Sequence, residues 1–139
     1  MRQFIYFLFL LCFGLSLVKA SSACLGACER DVLFLIDTSR FVTKYILSRL
    51  TFPYIQDVYC SFQTNSTKVK LGMFSFGEEI AELLPFQPYS YIEFSHQLNE
   101  LSRSTKCCRG FTPIAEAFRT AYETFRRHPT DRGRMIIVS

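Results

Sequence analysis

Asp37, Thr38 and Ser39 follow directly on the apolar run Asp31-Val32-Leu33-Phe34-Leu35-Ile36, and Thr112 stands far along the chain, just before Pro113. A carboxylate and hydroxyls brought together from two loops would suit a hard divalent cation, Mg²⁺ or Mn²⁺. The plainer reading leaves Asp37 and Ser39 as turn formers that bond nearby amides. Thr112 would then be a helix N-cap, a role that contributes about 1 kcal/mol. Groups for catalysis are scarce. His96 and His128 are the only histidines, one expected on a helix face and one at a helix end. Neither belongs to a nucleophile signature, and no phosphate-cradling glycine loop occurs. Cys107-Cys108 lacks the spacing of a structural zinc site. The chain is therefore expected to bind rather than to catalyse.

Those oxygens need a scaffold. Asp31–Ile36 is short and continuously apolar, the pattern of a strand buried on both faces. Val42, Ile46, Leu50, Tyr54 and Val58 then recur every four residues as a helical stripe, which Pro53 should kink or split near Leu50 to Phe52. Val69–Phe76 is a second buried strand. The tight turn Gly77-Glu78-Glu79 leads into Ile80–Phe86, which must run antiparallel and should lie at an edge, ended by Pro85 and Pro88. Tyr91, Phe94, Leu98 and Leu101 mark another helix, followed by a polar, cysteine-bearing loop from Ser102 to Phe111. Ile114, Ala117, Phe118, Ala121, Tyr122 and Phe125 make one wide apolar helical face, with Thr112 as expected N-cap and Pro113 as first helical residue. Met135–Val138 is a last buried strand. Buried strands alternating with amphipathic helices define an α/β class: a doubly wound, mostly parallel sheet flanked by helices, with one antiparallel edge strand. Ligands of such sheets bind beyond the carboxyl ends of the strands.

The chain has 139 residues with 49% hydrophobic and 20% charged, which fits one globular domain and excludes disorder. Residues 1–20 read as a signal peptide: Arg2, an apolar run from Phe4 to Val18, then Val18-Lys19-Ala20 for cleavage. That run is shorter than the roughly 20 residues of a membrane span, so no span is expected after cleavage, and the protein should be secreted. Residues 21–30 form a cysteine-containing segment ahead of the domain at 31–139. The small basic surplus gives no reason to expect nucleic acid. In an oxidising compartment Cys24, Cys28, Cys60, Cys107 and Cys108 would form disulfides, and their odd number leaves one thiol free, bonded to another chain, or without its partner. Asn65-Ser66-Thr67 is a glycosylation sequon between two elements.

Asp31–Ser39, Val69–Phe76, Gly110–Ala117 and Met135–Ser139, in that order, resemble the von Willebrand factor type A (vWA) domain family. The resemblance covers essentially Asp31 to Ser139. It implies a sheet ordered 3-2-1-4-5-6, of which this chain supplies four strands, the last ones missing. A family of this kind holds Mg²⁺ or Mn²⁺ with a D-x-S-x-S loop, a threonine from a second loop and an aspartate after the fourth strand. Asp37, Ser39 and Thr112 fall on three of those positions. Phe41 replaces the second serine, and the last aspartate would lie just beyond Ser139, so the site is incomplete. A partner's carboxylate would complete such a site, which makes it one of adhesion.

With the strands laid out in that way, Cys24 and Cys28 lie below the first strand. The first helix descends about 30 Å over some 20 residues, so Cys60 should pair with one of them. Cys107 and Cys108, unassigned, lie at the top, where they would form a vicinal bridge, stay partly free or bond another chain. The expected function is a secreted binding or adhesion module that recognises an extracellular protein, of the matrix or a cell surface, through its top loops. The alternative is a truncated or degenerate structural fragment with no ligand of its own, and a secreted enzyme comes third. An uncovered last strand and an odd cysteine fit an amino-terminal piece of a longer secreted protein or an incomplete gene product.

Overall fold

The computed structural model describes residues 30–62 and 69–139. The proposed signal peptide, Cys24, Cys28 and Asn65 lie outside the described residues. Four strands form one sheet: β1 (Arg30–Asp37), β2 (Leu71–Phe76), β3 (Ile80–Gln87) and β4 (Gly133–Val138), in the order β3-β2-β1-β4. β1 runs parallel to both neighbours, with Val32 opposite Leu71 on one side and Met135 on the other. β2 and β3 are antiparallel, and β3 is an edge. This is the expected α/β sheet, mostly parallel with one antiparallel edge, but the expected burial of the last strand is corrected: β4 ends the described sheet, with Met135, Ile136 and Ile137 half-buried and Val138 exposed.

The alternation along β1 explains its unbroken apolar run. Val32, Phe34 and Ile36 face one core with Leu47, Ile55, Tyr59, Met73 and Phe94. Leu33 and Leu35 face the other with Phe74, Phe86, Ala117, Ala121 and Phe125. A strand with helices on both sides has no solvent face, so period-two polarity disappears.

Two helical layers cover the sheet. On one side lie α1 (Lys44–Ile46), a π-helical turn over Leu47–Thr51, α2 (Phe52–Phe62) and α3 (Tyr91–Ser104); α4 (Ile114–Arg127) covers the other. The first α-helix is split just ahead of Pro53, as expected, by the π turn, in which the Phe52 amide reaches back five residues to the Leu47 carbonyl. Such a turn admits a residue that has no amide hydrogen to donate. The expected stripe is corrected here. The helix buries Leu47, Thr51, Phe52, Ile55 and Tyr59, whereas Ile46, Leu50 and Tyr54 are exposed. A second four-residue series, one position later and interrupted by a threonine, was the one that packed.

Pro85 does not end β3, which runs on to Gln87. Edge strands tolerate proline, and the β2–β3 register shifts close by, between Leu71 and Phe74. On α4 the wide apolar face divides. Ala117, Ala121 and Phe125 are buried, while Ile114, Phe118 and Tyr122 are exposed. Two alanines at the contact let the helix lie close on the sheet, so only a narrow stripe is covered.

The lower end is closed by Asp31, fully buried, whose Oδ1 accepts the Lys70 amide at 2.9 Å and Arg132 Nε at 3.2 Å. One carboxylate thereby ties the starts of three adjacent strands.

Candidate functional site

At the upper end the chain leaves β1 in a tight turn. The Ser39 amide donates to Asp37 Oδ1 at 2.8 Å, and the Phe41 amide to Ser39 Oγ at 3.4 Å. Asp37 and Ser39 thus do form the local turn that their types favour. Thr38 anchors that turn to the rest of the fold. Its amide donates to the Phe76 carbonyl at 2.8 Å, and its own carbonyl accepts the Cys108 amide at 2.8 Å. Gly77 is required beside it, since a Cβ there would stand 2.9 Å from the Thr38 carbonyl.

The second loop, between α3 and α4, folds over the first. Cys107 and Cys108 are bonded to each other. Gly110 has φ of +73°, and any side chain there would run into the Glu78 backbone, so only glycine lets the loop pass this close. The Arg40 amide donates to the Gly110 carbonyl at 3.2 Å. Lys44 Nζ reaches the last carbonyls of α3, at Arg103 (3.3 Å) and Thr105 (2.9 Å), where a cation satisfies both the orphan acceptors and the helix dipole.

These contacts place Thr112 against Ser39, with Thr112 Oγ1 donating to Ser39 Oγ at 3.2 Å. The expected capping role is corrected: Pro113 occupies the N-cap of α4 without a side-chain bond, and the Thr112 hydroxyl is turned to the other loop. Two oxygens bound side by side to one hard cation at about 2.1 Å stand roughly 3 Å apart, so the Ser39–Thr112 pair has that spacing. Asp37, half-buried, adds a carboxylate. Phe41, at the position of a further ligand, has its ring 68% exposed and supplies no oxygen. Among the described residues no group of three His, Cys, Asp or Glu could hold a metal by itself. The donor set is one carboxylate and two hydroxyls. It fits a divalent cation as part of its shell, with water or a partner's oxygen for the remainder.

A cleft of about 480 Å³ opens on the α4 side of Thr112, lined by Gly77–Ile80, Gly110–Pro113 and Glu116. Beside it stands Arg40, whose guanidinium lies 5.1 Å from the Phe41 ring centroid and 4.4 Å from that of Phe111, itself a wall of the cleft. Sequence reasoning missed this arginine, because the contact depends on a loop crossing. Of the histidines, His96 is exposed on α3, and His128 follows α4, with Nδ1 2.9 Å from the Thr124 carbonyl. Cys60 is in a disulfide, and the choice between Cys24 and Cys28 falls outside the described residues. Among the described residues, no helix is long and apolar enough to cross a membrane.

No family model matches the chain. The von Willebrand factor A domain-containing protein 1 of Danio rerio is 29% identical over 109 residues, which is 77% of this chain and 20% of that protein. Proximal thread matrix protein 1 of the mussel byssus superposes with a TM-score of 0.69 at 14% identity, over 82% of this chain and 31% of that one. A further structure of that protein, with a zinc-occupied MIDAS motif, gives 0.60 at 17% identity over 86% and 30%. BatB from Bacteroides thetaiotaomicron, a conserved hypothetical protein, gives 0.57 at 24% identity over 78% and 52%. The chain spans about a fifth of the curated relative, and about a third to a half of these solved chains. Strand order and these likenesses together define the fold: the chain shares the architecture of these solved structures, and its sequence is similar to a vWA domain-containing protein.

Proposed function

We propose that the protein is a secreted, extracellular binding module of vWA type, and that it recognises a protein ligand through the loops above β1 and before α4. The hydrogen bond from Thr112 Oγ1 to Ser39 Oγ carries this reading. It joins residues from two distant loops beside Asp37, at the carboxyl end of a parallel sheet, where ligands of such sheets bind. The zinc-occupied motif of the mussel neighbour supports a metal in this position. Asp37, Ser39 and Thr112 would hold Mg²⁺ or Mn²⁺ as a pared-down site. A bound cation would present positive charge to an anionic group of the partner. No catalytic role is assigned to these residues.

The test combines thermal unfolding with adhesion to an extracellular-matrix extract. A ligand held by the native state alone raises the unfolding midpoint. Millimolar Mn²⁺ is expected to raise it in the wild type and to leave Asp37→Ala unmoved. Matrix adhesion is expected to fall in Asp37→Ala and to persist in Asp131→Ala, at the other end of the sheet. Equal adhesion of both variants would defeat the reading.

A further inference from the structure

The Ser39–Thr112 contact is repeated one residue further out on each loop. Arg40 follows Ser39, Phe111 precedes Thr112, and the guanidinium stands 4.4 Å from the Phe111 ring centroid and 5.1 Å from that of Phe41. Both rings are two-thirds exposed, at 68% for Phe41 and 67% for Phe111. Both distances lie within reach of cation–π attraction, which restrains the side chain. Among the described residues no carboxylate lies within ion-pair distance of Arg40. Exposed phenyl rings around an arginine without an acidic partner are an unusual use of surface, and arginine and aromatic residues are enriched where interfaces form.

Charge points to the occupant. Residues 37–44 and 102–113 carry Arg40, Lys44, Arg103, Lys106 and Arg109 against a single carboxylate, Asp37. Lys44 is engaged with the end of α3. Arg103, Lys106 and Arg109 are exposed around the same loop. The cleft on the other side of the Phe111 ring is acidic, with Glu78, Glu79 and Glu116, and would repel an anion laid across it. An acidic segment is thereby drawn to Arg40 rather than into the cleft.

We infer that Arg40, steadied by Phe41 and Phe111, is a carboxylate receptor that binds an acidic segment of a protein partner without a metal ion. The inference rests on the reading of this face as the binding face. The guanidinium fork takes the carboxylate through two parallel N–H···O bonds, and the two rings cover the apolar stem of the acidic residue or its neighbour. Phe41 is then no mere loss of a ligand. It turns the missing oxygen of the metal shell into one wall of another receptor.

The probe is a fluorescently labelled peptide of alternating glutamate and leucine, with a glutamine–leucine counterpart, read by fluorescence anisotropy against the purified protein in EDTA and in Mn²⁺. The acidic peptide is expected to bind equally in both buffers and the glutamine peptide not to bind. Arg40→Gln should weaken binding about tenfold or more, as expected for a charge-assisted pair. Arg40→Lys, which keeps the charge but not the fork, should lose about threefold or more, and Arg103→Gln little. Circular dichroism confirms that each variant is folded. Equal losses in Arg40→Gln and Arg103→Gln would reduce the effect to diffuse charge and overturn the inference. So would equal binding of the two peptides, or no binding of either. Binding that needs Mn²⁺ and ignores Arg40→Gln would also overturn it, while leaving the proposed function intact.

Discussion

Single residues at the two ends of the sheet perform opposite tasks. Above, Asp37, Ser39 and Thr112 gather oxygens near solvent. Below, Asp31 is sealed from water, its Oδ1 accepting from the Lys70 amide and from Arg132 Nε. Arg132 keeps 22% of its side chain exposed, so the two partners do not share the cost of burial equally. Removing Arg132 strands a carboxylate that has no route to water, whereas removing Asp31 leaves a cation that can reach it. Arg132→Ala should therefore cost about 3 kcal/mol in urea unfolding, and Asp31→Asn distinctly less. The positions of Asp37, Ser39 and Thr112 were legible in the sequence, since each adjoins a strongly patterned element, whereas Asp31 was read only as the head of an apolar run. The direction of the Thr112 hydroxyl was not. A threonine before Pro-Ile satisfies the local rule for an N-cap, and only the crossing of a remote loop redirects it to Ser39.

Elements were legible where their pattern had one interpretation. β1 and the Gly77-Glu78-Glu79 turn left little choice, and the order β3-β2-β1-β4 followed the resemblance. The first helix had two competing four-residue series, and the middle of the more hydrophobic one stayed in solvent while its ends, Val42 and Val58, pack half-buried on the core: Tyr54 is 54% exposed while Ile55 is fully buried. Side-chain chemistry cannot rank two such stripes when a π turn changes their phase. The start of α3 carried a signal of its own in Ser90 and Glu93, which form a capping box. Ser90 Oγ accepts the Glu93 amide at 3.2 Å, and Glu93 Oε2 accepts the Ser90 amide at 2.9 Å. Ser90→Ala should destabilise the protein by about 1 kcal/mol.

The hydrogen bonds from Ser90 hold the Glu93 carboxyl below its ordinary value. A carboxyl depressed in the folded state stabilises fully above its unfolded value, and that contribution is lost as pH falls through the folded one. Amide exchange in the first turn of α3 should therefore stay slow on mild acidification and quicken only below the usual glutamate range. In Glu93→Gln that acid-dependent step should vanish. An unchanged step in the variant would assign it to another group.

At the scale of the whole molecule, the sheet is a platform with one closed end and one open end. The buried ion pair and the parallel register align the strands below. The same register brings Asp37, Phe76 and the backbone of Ser139 level above, with the Asp37 amide donating to the Ser139 carbonyl at 2.7 Å. Two loops then meet over that level surface, joined by Ser39–Thr112 and by Arg40 between two phenyl rings. The incomplete oxygen set and the arginine receptor are neighbours on this one face, and either could engage a partner only if the loops meet as described. The most direct test is a Mn²⁺ titration of isotope-labelled protein followed in ¹H–¹⁵N spectra. Paramagnetic broadening should strike the amides of residues 38–41 and 110–112 first and together, and spare those near Lys70 and Asp131. Broadening of one loop without the other, or strongest broadening at the Asp131 end, would contradict the account.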